Sequence, residues 1–173
     1  YQRITFKSDY QIHSLRWGNY YFTLQAGKVT GNAPYHLLFN PAGTYKPINK
    51  ITVYSMDGFE TMRLNEILYD EFYSLHFRYR FSKPIINGKK FRPLLSLTSA
   101  MVNGRFNQFT RHSSLNYTTL NKPFTESGLI IDNLIKSGVS GIGIGAFYRW
   151  GAWQFNDFRD NFALKISLSL SLG

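Results

Sequence analysis

The sequence predicts an all-β protein, an antiparallel transmembrane β-barrel of the outer-membrane type. Apolar and polar residues alternate in one stretch after another along the 173 residues, and no convincing helical period appears. No apolar run reaches the ~20 residues that a membrane-spanning helix needs. A barrel is compatible with that absence, because its strands cross a membrane with only ~9 to 11 residues of alternating polarity.

Each alternating stretch predicts a strand with one apolar and one polar face, because successive side chains of a strand point to opposite faces. The stretches lie at residues 2–13, 19–29, 72–81, 91–101, 126–135, 139–151 and 160–173. The clearest internal one, FYSLHFRYRF, sets Tyr73, Leu75, Phe77, Tyr79 and Phe81 against Ser74, His76, Arg78 and Arg80. In the stretch at 126–135, Ile130 interrupts the pattern.

The final stretch, DNFALKISLSLSLG, alternates almost without a fault. One parity holds Phe162, Leu164, Ile166, Leu168, Leu170 and Leu172, and the other holds Ala163, Lys165, Ser167, Ser169 and Ser171. A soluble strand usually turns long charged side chains to water, whereas small polar residues opposite an unbroken apolar face suit a wet interior and a lipid-facing exterior. This strand therefore favours a membrane barrel over a soluble sandwich.

Clusters of Gly, Pro, Asn and Ser separate the predicted strands, as expected of turns and loops. Long loops are predicted near residues 31–49 and 103–123, and short connections at INGKK and KSG. Outer-membrane barrels alternate short periplasmic turns with longer outer loops. No second domain is expected within residues 1–173.

Composition narrows the function classes. The absence of cysteine excludes disulfides, thiolate zinc sites and a cysteine nucleophile. The 12 tyrosines and 15 phenylalanines fit strands in general and the aromatic girdles of membrane barrels in particular. A formal charge of +10 is compatible with nucleic acid, with anionic lipid headgroups or with solubility alone, since the basic residues are dispersed.

No spacing in the sequence predicts catalysis, a cofactor site or a metal site. GIGIGA formally matches a dinucleotide fingerprint, but the strand pattern continues through FYRWG, where the fingerprint requires a helix. Its glycines instead predict a close backbone approach or a bend in the sheet. Glu126 and Asp132 would lie about 20 Å apart on a strand, too far for a pair of catalytic carboxylates. The chain is therefore expected not to be an enzyme.

Several basic residues fall on predicted inner faces, among them His76, Arg78, Arg80 and Arg149. Charges inside a barrel tune ion selectivity or hold a plugging loop through charge-assisted hydrogen bonds. They also satisfy acidic residues of the lumen such as Asp132. A structural role is favoured, with the holding of a loop as its sharper form.

The order of five segments resembles a known family. GFETMRLNEILYDEFYSLHFRYRF, KKFRPLLSLTSAMVNGRF, FTESGLIIDNLI, GIGIGAFYRWG and DNFALKISLSLSLG resemble the end of large outer-membrane proteins of unknown function that carry an N-terminal carboxypeptidase-like regulatory domain. That family is in turn similar to the BamA and TamA barrel superfamily. The resemblance implies that residues 1–173 are the C-terminal part of an outer-membrane β-barrel, about eight strands and half of a sixteen-stranded barrel.

The same resemblance implies a lumenal loop and a closing strand. In the superfamily a loop folds back into the lumen and presents an arginine to acidic residues of the inner wall. FETMRLNEI occupies that place in the order, so Arg63 is the candidate loop residue and Glu126 or Asp132 its wall partner. The terminal strand is implied to close the barrel against the first one.

These inferences predict a multi-pass barrel of the Gram-negative outer membrane that assists the assembly or translocation of other envelope proteins. The alternative is a non-catalytic anchor, channel or accessory subunit of a larger outer-membrane complex. A soluble basic β-domain that binds nucleic acid is a third class, based on the interleaved aromatic and basic residues of FYSLHFRYRF. Expected partners are outer-membrane lipid, lipopolysaccharide and other outer-membrane proteins, without nucleic acid or a cofactor.

Overall fold

The computed structural model describes residues 1–45, 51–55, 57–88, 91–107, 118–120, 122–137 and 140–170. Its strands are β1 (Gln2–Ser14), β2 (Gly18–Thr30), β3 (Gly43–Tyr45), β4 (Ile51–Val53), β5 (Phe59–Arg63), β6 (Glu71–Phe81), β7 (Leu94–Arg105), β8 (Phe124–Ser137), β9 (Ser140–Trp150) and β10 (Phe162–Leu170). Short 3-10 turns occur at Tyr35–Leu37, Gly151–Trp153 and Phe158–Asn161. Within the described ranges, no helix has the length and apolar character needed to cross a membrane.

The fold is all-β, as the sequence predicts. One eight-stranded sheet has the order β1-β2-β6-β7-β8-β9-β10-β4, and β3 and β5 form a separate two-stranded sheet. The long strands β1, β2 and β6 to β10 correspond to the alternating stretches, and each is antiparallel to its neighbour. The short strand β4 instead pairs in parallel with β10. The expected antiparallel sheet is therefore corrected to a mostly antiparallel one.

The eight-stranded sheet is open and is not closed into a barrel by the described strands. β1 forms one edge, and β10 with the short β4 forms the other. Each step across the long strands reverses direction, so β1 and β10 run the same way. Direct pairing of these two strands would be parallel, unlike every other pairing between long strands.

Two of the three connections at one end of the sheet are short, residues 15–17 and 138–139, whereas the third, 82–93, has 12 residues and corrects the short connection expected at INGKK. At the other end, residues 31–70, 106–123 and 151–161 join the strands. The predicted loop at 31–49 contains a 3-10 turn and β3, with 46–50 outside the described residues. The loop predicted at 103–123 begins later, because β7 continues to Arg105; its residues 108–117 and 121 also lie outside the description.

The polarity of the sheet is inverted relative to that of a soluble protein. Exposed apolar side chains line one face, called the outer face: Ile4, Phe6, Tyr10, Ile12, Leu24, Tyr73, Leu75, Leu97, Leu129, Ile142, Ile144, Leu164, Ile166 and Leu168. The opposite face, called the inner face, buries polar side chains: Ser74, His76, Ser96, Glu126, Asp132, Arg149, Lys165 and Ser167. Over β6 to β10, water is thus excluded from much of the polar side of the sheet and reaches its apolar side, whereas β1 is exposed on both faces.

The terminal strand follows this rule without exception over its described side chains. Phe162, Leu164, Ile166 and Leu168 are exposed, and Ala163, Lys165 and Ser167 are buried. The facing predicted for β10 is therefore confirmed for these residues. The side chain of Leu170 and all of Leu172 lie outside what the structure describes.

The described residues of 31–70, called the inner segment, cover the inner face over β6 to β10. Their buried apolar side chains form one cluster with residues of the sheet and with Leu120 of the connection after β7: Val29, Ala33, Phe39, Phe59, Met62, Ile67, Tyr69, Ala100, Val102, Leu120 and Phe124. Ile130, the residue that interrupts the alternation of β8, packs on the same side with Phe147 and Ala163. The core therefore lies between the sheet and the inner segment, and the outer face takes no part in it.

A bulge in β8 explains one glycine of GIGIGA. Pairing of β8 with β9 shifts between Ile131 and Ile135, and Asn133 in the bulge has φ 57°. Gly143 lies opposite, where an added Cβ would collide with the carbonyl oxygen of Ile131 and lie 2.7 Å from the Cα of Asp132. The predicted close backbone approach is confirmed at Gly143. Asp132, just before the bulge, keeps the inward facing that strand alternation gives to Glu126 and Ile130.

Candidate functional site

Glu126 of β8 holds the backbone of β5 against the inner face. Its carboxylate accepts hydrogen bonds from the N–H of Glu60 at 2.7 Å, the N–H of Thr61 at 2.9 Å and the Thr61 hydroxyl at 2.6 Å. The Glu126 residue is 3% exposed. A buried carboxylate needs several hydrogen-bond donors to replace water. The two adjacent N–H groups fix the register of β5 on the eight-stranded sheet, which is called the wall from here on.

Arg149 of β9 holds the same strand next to Glu126. It stands directly opposite Glu126 on the neighbouring strand, and its guanidinium donates to the carbonyl oxygen of Thr61. Two further bonds, of 2.8 and 3.0 Å, reach the two carboxylate oxygens of Glu66. The rings of Phe124 and Phe155 lie 4.8 and 4.5 Å from the guanidinium carbon. The backbone of Thr61 is thus held through both its N–H and its carbonyl oxygen.

Lys165 of β10 forms a third, fully buried attachment. Its ammonium lies 3.1 Å from the carboxylate of Glu60, and both side chains are at most 1% exposed. The ammonium also donates to the hydroxyls of Thr44 at 2.8 Å and Thr52 at 2.6 Å. The Glu60 carboxylate also accepts a hydrogen bond of 2.8 Å from the N–H of Ser55. One lysine therefore joins β3, β4 and β5 to the terminal strand.

Asp132 connects strands of the wall to one another. Its carboxylate accepts a bond of 2.7 Å from Arg78 and another from the Ser167 hydroxyl. The Arg78 guanidinium also lies 5.6 Å from the ring of Tyr54, which stacks on Phe147. Burial raises the pKa of Tyr54 to about 12, against the opposing effect of the Arg78 charge.

The pairing expected for Arg63 is wrong. Its guanidinium lies over the ring of Phe155 at 4.8 Å, and neither Glu126 nor Asp132 is among its partners in the described part of the chain. Arg63 ends β5, and the turn that follows, with Asn65 at φ 58°, leaves it exposed. The inner segment does contact the wall through FETMRLNEI, but its acidic residues and backbone make the contact, and the wall supplies the cations.

The other predicted inner residues differ in their surroundings. His76 is buried against the ring of Phe59, 4.8 Å away between centroids, and Arg78 is bound to Asp132. Arg80 is half-buried. Sequence reasoning missed Glu60 and Glu66 of the inner segment. The signal that would have found them is the excess of cations on the predicted wall, which requires acidic partners from elsewhere.

The site is therefore an attachment of the inner segment to the wall, and its chemistry is that of buried ion pairs and hydrogen bonds. Among the described residues, no group of three or more His, Asp or Glu could hold a metal ion. Comparison with known protein families, with curated protein sequences and with solved structures finds no match for this chain.

Proposed function

We propose that this chain is part of the wall of an outer-membrane β-barrel whose interior is filled by its own inner segment, and that it assists assembly or translocation of envelope proteins. The observation that carries the membrane placement is the inverted polarity of the sheet. The outer face exposes many aliphatic and aromatic side chains, whereas the inner face buries Glu126, Arg149 and Lys165. Lipid is the solvent that such an outer face suits.

Aromatic side chains at the two ends of the sheet support this placement. At the end with residues 15–17, Trp17 is exposed, and the outward rings of Tyr20 and Tyr79 lie 4.7 Å apart. At the opposite end Tyr148 contacts both Trp150 and Phe158, at 4.5 and 5.2 Å. Aromatic belts of this kind mark the two interfaces of a membrane barrel. The connections at the end with Tyr148 would then face the cell exterior.

The assembly or translocation role is proposed from the resemblance of the sequence to a family that is in turn similar to the BamA and TamA superfamily. The second candidate is a non-catalytic anchor of an outer-membrane complex. One observation favours it: the inner segment is attached to the wall at Glu126, Arg149 and Lys165, and a barrel filled in this way suits an anchor that needs no open pore.

A soluble nucleic-acid-binding domain suits the geometry less well. The basic residues of FYSLHFRYRF are separated from its rings by the sheet, because His76 and Arg78 lie on the inner face while Tyr73 is exposed on the outer one. Single-strand binding needs rings and cations on one accessible surface.

Fractionation tests the membrane placement. The protein produced at native level should sediment with the outer membrane, resist carbonate extraction and require detergent for solubilisation. Recovery in the soluble fraction would overturn the proposal. Depletion then separates the two candidate roles: lowered amounts of several unrelated barrel proteins support assembly, whereas an unchanged outer-membrane profile with one stable co-purifying partner supports the anchor.

A further inference from the structure

The free edge of β10 is partly covered by a strand of the inner segment. β4 pairs in parallel with β10, with Ile51, Thr52 and Val53 opposite Leu164, Lys165 and Ile166. The N–H of Tyr54 continues this contact by donating to the carbonyl oxygen of Ile166 at 2.9 Å. The remaining residues of β10 on either side of this stretch have no strand opposite them on that edge in the described part of the chain.

β4 lies in the plane of the sheet and follows its alternation. Thr52 turns to the inner face, where its hydroxyl accepts from Lys165 at 2.6 Å. Val53 is 56% exposed and stands beside the exposed Ile166 on the outer face. The direction of β4 is nevertheless wrong for a wall strand, because all long strands of this sheet are antiparallel to their neighbours.

We propose that β4 is a displaceable cap on the edge of β10, which leaves when an antiparallel strand pairs with β10 to complete the barrel. This inference rests on the proposed membrane-barrel function. An unpaired strand edge invites pairing with foreign strands, and proteins commonly protect such an edge with a short covering segment. Three residues in parallel pairing protect the middle of the edge, yet form few hydrogen bonds for an incoming strand to replace.

Lys165 holds the cap in place. Its ammonium binds Thr52 of β4 together with Thr44 and Glu60, so the same buried charge serves both the cap and the rest of the inner segment. Loss of the contact with Thr52 would still leave Lys165 paired with Glu60. The cap can therefore leave without stranding a buried charge, which makes its release less costly than release of the inner segment.

A disulfide trap tests the cap, and residues 1–173 contribute no native thiol to the background. The pair Val53→Cys with Ile166→Cys joins directly opposite residues on the outer face. The control pair Val53→Cys with Leu168→Cys keeps the same face but is displaced by one strand repeat. The complete protein carrying either pair is refolded from urea into detergent micelles and oxidised at successive times. Folded barrels are followed by their heat-modifiable mobility in gels.

The 53–166 disulfide should form early, at least fivefold more than the 53–168 control, and its yield should fall as the heat-modifiable form accumulates. Oxidation before folding should block that form, and reduction should restore it. Yields equal to the control throughout would overturn the cap. A high yield that persists in the heat-modifiable form would overturn its displacement. Recovery of the protein in soluble form with a high 53–166 yield would instead retain the cap and overturn the membrane-barrel function.

A threonine variant provides a second measurement. Thr52→Val keeps the shape of the side chain but removes the hydroxyl that binds Lys165, and it leaves Lys165 paired with Glu60. Hydrogen exchange at residues 52–54 should become at least tenfold faster, while exchange in the middle of β9 changes less. Equal acceleration in both regions would mean that the contact between Thr52 and Lys165 supports the sheet as a whole and does not hold a separate cap.

Discussion

Glu66 and Arg149 form a two-point ion pair across 83 positions of the sequence. Arg149 belongs to the wall and Glu66 to the inner segment, so the cation lies on the sheet and the anion on the segment that covers it. Lys165 and Glu60 repeat this arrangement on the terminal strand. The polarity of both pairs is the reverse of the one implied by the resemblance to BamA and TamA, in which an arginine of the loop faces acidic wall residues.

The Glu66–Arg149 pair should show strong energetic coupling. Removal of either partner leaves a charge in a water-poor site, so Arg149→Met or Glu66→Gln should each destabilise the protein by about 3–5 kcal/mol. The double variant should lose less unfolding free energy than the two single variants lose together, because no unpaired charge remains in it. Urea unfolding in micelles measures the cycle. The exposed pair Lys28 and Glu71 serves as control and should couple by only about 0–1 kcal/mol.

Glu126→Gln should loosen β5 from the wall. The amide keeps one acceptor oxygen but turns an NH2 group toward the donors that the carboxylate now satisfies, at a cost of about 1–3 kcal/mol. Hydrogen exchange at the N–H groups of Glu60 and Thr61 should accelerate well before global unfolding. Glu71→Gln, on the outer side of β6, is the matched control and should leave that exchange unchanged. Unaltered protection of Glu60 and Thr61 in Glu126→Gln would contradict the assigned role.

Ile144→Arg should be poorly tolerated if the outer face contacts lipid. A guanidinium near the middle of the apolar band costs about 2–4 kcal/mol, whereas on a water-exposed sheet it costs little. Insertion into phospholipid vesicles and the urea midpoint of the inserted protein measure the effect. Leu64→Arg, at an exposed position of the inner segment, introduces the same charge away from the outer face. Equal behaviour of the two variants would count against a lipid-facing sheet.

Gly143→Ala should disrupt the bulge of β8. An added Cβ meets the Ile131 carbonyl oxygen and the Asp132 backbone, neither of which can rotate away, and the strain should cost about 1–3 kcal/mol. Ala146→Val adds volume three residues later on the half-buried outward side and should cost less. Thermal unfolding compares the two variants. A Gly143→Ala protein as stable as the parent would show that the bulge can shift at no cost.

Tyr54 should make stability fall at alkaline pH. An unfolded tyrosine ionises near pH 10, whereas burial raises the pKa of Tyr54 to about 12 in the folded protein. Its contribution is therefore fully present below about pH 10 and is lost as pH rises toward 12, since the unfolded state releases its proton first. Urea midpoints between pH 9 and 11 should fall less steeply in Tyr54→Phe than in the parent. Parallel slopes would contradict burial of the hydroxyl.

The strands could be read from the sequence because alternation is a local property. Each of the seven stretches forms a long strand, and the apolar residues of β10 take the outer face as expected. The glycines of GIGIGA were also interpretable, because a missing side chain has one steric meaning inside a strand. Even Ile130, which interrupts the pattern, is explained by its packing with Phe147 on the inner side.

The partners of the charged residues could not be read in the same way. Glu126 binds residues 65 and 66 positions away, and Lys165 binds Thr44 across 121 positions. Nothing local distinguishes Arg63 from Arg149 as the residue that joins segment to wall. Which arginine joins the inner segment to the wall depends on where the turn after β5 ends and on which side chain then faces a buried acid.

The sequence by itself determined the all-β class and the positions and facing of the long strands, because each follows from side-chain polarity at a period of two residues. Only the tertiary structure decided that the inner segment covers the inner face over β6 to β10, that β4 runs parallel to β10, and that Glu60 and Glu66 are the partners of Lys165 and Arg149. These features depend on how a long connection folds back over the sheet. The burial of several charges at once selects that path, and no single stretch of residues encodes it.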